Sequence, residues 1–108
     1  MEAFQVSINC VVHWYNAVHR IYQPPSGCLF AHNHVIGDQR TLRQVCDTYV
    51  GQIFSRFRQN DSVHCIVAYS GQPVDIDKNI PFADVIEEYR VRYPNKQEML
   101  VVINIIRH

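Results

Sequence analysis

The chain lacks net charge: its 108 residues carry ten basic and ten acidic side chains, which cancel. No net positive field is left over to hold a phosphate backbone, so general nucleic-acid binding is disfavoured and not expected. No apolar run reaches the roughly 18 residues that a membrane span requires. The N-terminus shows neither a charged n-region nor a cleavage site, so no secretory leader is expected. An internal repeat, a low-complexity tract and a linker are also missing. So are a Gly-x-Ser-x-Gly elbow, a Gly-rich phosphate loop and a paired-carboxylate motif, which leaves no sequence signature of catalysis.

What is present is globular: 47% of residues are hydrophobic and 19% charged. The length fits one domain, 1–108, and lies well above the roughly 40 residues below which metals or disulfides become necessary. Cys10, Cys28, Cys46 and Cys65 are read as reduced thiols of an intracellular protein, cytoplasmic or nuclear. Three of them sit in apolar periodic segments, where cysteine behaves as a small hydrophobe.

Residues 3–12 alternate. Phe4, Val6, Ile8, Cys10 and Val12 face one way, and Gln5, Ser7 and Asn9 the other, which predicts a strand with one wet face. The pattern decays at Asn16. Residues 17–22 read as a short return strand, and 24–27, Pro-Pro-Ser-Gly, as a break. Residues 28–36 read as the main partner of the first strand, with His32 and His34 on one face. Leu42, Val45, Cys46, Tyr49, Val50, Ile53, Phe54 and Phe57 keep helical rhythm, which predicts a helix over 41–57. Thr41 followed three positions on by Gln44 is a capping box. Gly51 inside this helix costs about 1 kcal/mol relative to Ala.

A strand over 63–69 follows, with its turn at 70–73. Phe82, Val85, Ile86 and Tyr89 space as a shorter helix ending before Pro94. Residues 99–106 form the most apolar strand, expected at the centre of the sheet beside the first strand. The order predicts an α+β fold: a mixed four- to five-stranded sheet crossed by one main helix.

This pattern resembles the ubiquitin-like β-grasp superfamily. The carriers are Ile66-Val67-Ala68-Tyr69, Gly71, Val74, the loop Asp75-Ile76-Asp77, an anchor at Ile80 or Phe82, Asp84, and the closing run Leu100-Val101-Val102-Ile103-Asn104-Ile105. Tyr89-Arg90-Val91-Arg92-Tyr93 before Met99 is similar to the tail of RING-associated ubiquitin-like (RAWUL) domains of Polycomb ring-finger proteins. The resemblance covers roughly 41–106 and implies a β-grasp fold. The first hairpin is longer than in ubiquitin. The chain ends in Ile106-Arg107-His108 without a Gly-Gly pair, so a conjugated modifier is not expected.

Several constellations invite chemistry. Cys10-x2-His13 and Cys28-x3-His32 have pairs of zinc-ligand types, but residues three apart in a strand point to opposite faces. Core cysteines and edge histidines are the plainer reading. His64-Cys65 are strand neighbours and cannot form a thiol–base dyad. Asp75, Asp77, Glu87 and Glu88 are read as solvated carboxylates. Arg56, Arg58, Arg90 and Arg92, with Tyr89, Val91 and Tyr93 interleaved, read as a solvated face with snorkelling arginines. His19 and Arg20 are all that hints at the basic edge strand of a small-GTPase-binding β-grasp. No catalytic residue, metal or cofactor is expected.

Surplus apolar residues on the sheet are more telling. With Cys65, Val67, Val101, Ile103 and Ile105 inward, Ile66, Ala68, Leu100 and Val102 point outward, with Ile106 beside Asn104. Such a patch marks a protein interface unless the first hairpin or 16–36 folds over it. The expected function is an adaptor or assembly module that uses this face or an edge strand to bind another protein or a second copy of itself. The rival class is a metal-dependent or thiol enzyme built on Cys10, His13, Cys28 and His32.

Overall fold

The structure, a computed structural model, describes residues 4–16, 18–22, 26–54, 57–68 and 71–107. The expectations at Ala17, Pro24-Pro25, Arg56 and Tyr69-Ser70 lie outside these residues. The elements in chain order are β1 (Gln5–Asn16), β2 (Ile21–Tyr22), β3 (Ser26–His32), α1 (Leu42–Ile53), β4 (Ser62–Val67), β5 (Gln72–Val74), α2 (Phe82–Arg92) and β6 (Glu98–Arg107).

The fold is α+β. Its mixed sheet runs β2-β1-β6-β4-β5, and β3 also pairs with β1. β6 occupies one edge of β1 over the same residues that β3 pairs, so β3 takes the other edge. The centre is the parallel pair β1–β6, from Gln5↔Glu98 to Trp14↔Arg107. The other pairings are antiparallel.

Strand periodicity decides the faces. Val6, Ile8, Cys10 and Val12 of β1, Cys65 and Val67 of β4, and Met99, Val101, Ile103 and Ile105 of β6 are all buried. They join one core with Leu42, Val45, Cys46 and Val50 of α1 and Phe82, Ile86 and Tyr89 of α2. Both helices therefore cover the same face. A buried aliphatic side chain contributes roughly 1.5–3 kcal/mol, so this single layer supplies the main driving force.

The capping box is present. The Gln44 N–H donates to Thr41 Oγ1 at 3.2 Å, and the Thr41 N–H donates to Gln44 Oε1 at 2.9 Å. The helix ends earlier than expected, at Ile53 rather than 57, because Phe54 is already extended at φ −130° and ψ 163°. Phe57 is still buried, but from the loop after α1. The apolar rhythm continued past the backbone break, which is why periodicity overran the helix.

Other boundaries shift as well. β1 runs on to Asn16, because Tyr15 and Asn16 pair with Tyr22 and Ile21 of β2. The strand read over 28–36 is Ser26–His32, and residues 33–36 leave the sheet. Gln72 and Pro73, read as turn, belong to β5. Gly71 takes the left-handed conformation there, at φ 66°. Gly27 has a different role: a Cβ there would meet the Cys10 carbonyl oxygen at 2.8 Å, so only glycine permits this approach of β3 to β1.

Candidate protein interface

The register assembles the outward face row by row. Ile66 of β4 pairs with Val102 of β6, which pairs with Asn9 of β1, which pairs with Leu29 of β3. Pro73 of β5 extends this row beyond Ile66. In the next row Ala31, Ser7 and Leu100 stand in line, and the Ala68 N–H donates to the Leu100 carbonyl at 2.8 Å. On the other side Gly27, Val11, Asn104 and His64 align, followed by His13, Ile106 and Ser62.

Three of the four expected anchors, Ile66, Leu100 and Val102, thus share one face, and Ala68 follows directly after β4. Ile66, Leu100 and Val102 are half-buried between their strand neighbours, and Ala68 is exposed. β2 and β3 extend the sheet sideways rather than folding over it, so among the described residues no element covers the face. Glu98 at one end carries the one fixed charge among its described strand residues. The polar members are otherwise uncharged amides and hydroxyls with the imidazoles of His13 and His64. His13 Nε2 lies 3.3 Å from Asn104 Oδ1.

Leu29 is 67% exposed and belongs to this face. Sequence reasoning passed over it because the strand over 28–36 had no fixed register. The alternation of Gly27, Leu29 and Ala31 against Cys28, Phe30 and His32 was the available signal.

The four residues of the rival enzyme site do not converge. Cys10 and Cys28 are direct cross-strand partners on the helix side. His13 points to the other face. His32 is on the helix side but opposite Val6, and it is hydrogen-bonded to the Tyr49 hydroxyl. Among the described residues no three His, Cys, Asp or Glu side chains are placed to share a metal ion. Burial, then the neighbouring Cys28 and Cys65, push the Cys10 thiol up to about 12. Cys46 is pushed up chiefly by its hydrogen bond to Cys65, with burial adding to it. A nucleophilic cysteine needs the opposite shift. His64 is exposed and Cys65 buried, on opposite faces as strand geometry requires.

Arg58, Arg90 and Arg92 are engaged locally. Arg58 lies over Trp14 at 5.2 Å from the ring centroid and Arg90 over Phe4 at 5.1 Å. Arg92 donates to Gln72 Oε1 at 2.7 Å. Arg20 occupies the turn between β1 and β2 at φ 54° and so is off any edge strand. Asp77 accepts from Arg43. Asp75, Asp84 and Glu88 line a cleft of about 330 Å³ between β5 and α2, together with Lys78 and Arg92, and Arg92 Nη2 lies 3.5 Å from Glu88 Oε1.

His32 is a buried titratable group on the helix side. It is 5% exposed, and its ring meets Phe82 edge-on at 5.3 Å. Burial first, then the nearby Arg40 and His34 charges, lower its pKa, against an opposing pull from Asp38. The Arg40 side chain and N–H hold Asp38 itself down to about 2.

No family model, curated protein or solved structure matches this chain. No helix among the described residues is long and apolar enough to cross a membrane.

Proposed function

We propose that this chain is a ubiquitin-like β-grasp domain acting as a non-catalytic adaptor or assembly module. The outward sheet face is its interface, with Ile66, Ala68, Leu100 and Val102 as anchors. One observation carries the reading: an apolar sheet face with a single fixed charge, which no described element covers. The fold assignment draws support from the parallel pairing of β1 with β6 at the sheet centre and from the helix that packs across it. The RAWUL-type subfamily rests on the tail pattern at 89–93. Free thiols at all four cysteines suit a reducing compartment, cytoplasmic or nuclear.

A solvated sheet face ordinarily alternates with charged residues, whereas this one carries Leu, Val and Ile. Central apolar anchors dominate interface energy, and a partner would bury on the order of 800 Å² here. The test is a photoreactive side chain placed at Val102 and, as a control, at exposed Glu87 on α2. Cross-links to one defined protein from position 102, lost on adding Ile66→Asp, are the expected result. Equal labelling from both positions would overturn the reading. Outward positions do not enter the core, so Ile66→Asp should leave the circular dichroism spectrum unchanged.

A further inference from the structure

The two edges of the sheet are built differently. β5 is three residues long and carries Pro73, which has no N–H to offer an incoming strand. Short length and proline are the devices that keep sheet edges from pairing. β3 has neither. It is seven residues long, Ser26–His32, with no proline and no Lys, Arg, Asp or Glu. Among the described residues it has a strand, β1, on one side only. Gly27, Cys28, Leu29 and Ala31 are exposed, so the unpaired main-chain groups along its outer edge face solvent. Such a row is satisfied by one kind of occupant, an extended backbone.

We propose that the occupant is β3 of a second copy, paired antiparallel about a two-fold axis through Leu29. The sequence is self-complementary in that register. Leu29 meets its own equivalent on the outward face, an apolar cross-strand pair. Gly27 falls opposite Ala31, and Cys28 opposite Phe30, so each larger side chain faces a smaller one. No formal charge in the strand repels its copy, and the chain has no net charge to oppose self-association. An antiparallel pairing of identical edges is isologous and closes at two copies, so it does not propagate into fibres. The two-fold axis stands perpendicular to the sheet and leaves both outward faces on one side. This inference goes beyond the face reading, since it uses an edge rather than a face.

The test is sedimentation velocity of the full chain in reducing buffer, from low micromolar to submillimolar concentration, for the wild type and three variants. Leu29→Lys places two cations side by side at the axis and leaves the core untouched. Gln72→Lys adds a cation at the protected edge instead. Ile66→Asp with Val102→Asp alters the outward face. The expected result is a wild-type shift from monomer to dimer with rising concentration. Leu29→Lys should weaken the dimer by at least about tenfold, which corresponds to about 1.4 kcal/mol, and the other two variants should match the wild type. A wild type that remains monomeric overturns the inference and leaves the proposed interface with a different protein intact. A dimer lost in the Ile66→Asp, Val102→Asp variant but kept in Leu29→Lys also overturns it, and assigns self-association to the face. Circular dichroism of Leu29→Lys excludes unfolding, and if that variant is unstable, Leu29→Thr serves in its place.

Discussion

At the scale of single residues, His32 shows how a strand position sets chemistry. It shares the helix side of the sheet with Phe30, and its imidazole meets the rings of Tyr49 of α1, Phe82 of α2 and His34, with the charges of Arg40 and Asp38 acting on it. A charged imidazole is disfavoured there, so its folded pKa lies below its unfolded one. As pH falls from the ordinary imidazole range toward that lower value, the unfolded state takes up the proton first and stability drops. Above the ordinary value both states are neutral and the contribution is flat. The expected outcome is a wild-type urea midpoint that declines as pH falls below the ordinary imidazole range, with a shallower decline in His32→Phe. Equal slopes would show that other histidines carry the effect. The sequence had placed His32 and His34 on one face, but not the burial, which depends on Phe82 arriving from fifty residues downstream in the chain.

Elements follow the same division between what is local and what is tertiary. The capping box of α1 was legible because it needs only Thr41 and Gln44 at their spacing. Its loss in Thr41→Ala should cost about 1 kcal/mol. Gly51 is exposed, and nothing lies within 4 Å of where its Cβ would stand. Gly51→Ala should therefore raise stability by about 0.5–1 kcal/mol. Denaturant midpoints of the two single variants, read against the wild type, check both signs. The end of α1 was not legible, because Phe57 keeps the apolar rhythm while reaching the core from a loop. The outward face was legible from period two alone in β4 and β6. The register of β3 was not, since it is fixed by the Gly27 approach to Cys10 and by pairing with β1 across a turn whose length the sequence does not specify.

For the whole molecule, one ion pair closes the end of the core. Arg107 Nε lies 3.4 Å from Asp61 Oδ2, with side-chain exposures of 4% and 2%. The guanidinium lies 4.2 Å from the Phe54 ring centroid and 5.6 Å from that of Trp14. Asp61 also accepts the Arg58 N–H at 2.6 Å. These contacts join the ends of β1 and β6, the exit of α1 and the entry to β4. Asp61→Ala would strand a buried guanidinium and should cost on the order of 3 kcal/mol. Pairing it with Arg107→Met should recover part of that loss, because a buried apolar pair has no charge left to compensate. A double variant less stable than the single would show that the ring contacts of Arg107 matter more than its charge. Fold class was readable from the order of patterns, while this closure was not, since Asp61 reads locally as a residue of the loop after the helix.

The parallel pairing of β1 with β6 has a consequence for the order of events during synthesis. Gln5 must wait for Glu98, and Trp14 for Arg107. β1 and β3 are able to meet early as a hairpin, and α1 to wind behind them. The sheet is then an unfinished half, its inner edge open where β6 belongs, until β6 itself has left the ribosome. At about 5–20 residues per second that interval lasts seconds. Val6, Ile8, Cys10 and Val12 stay without their central neighbour for all of it, and the nascent chain is most exposed to wrong strand partners just before its last strand arrives.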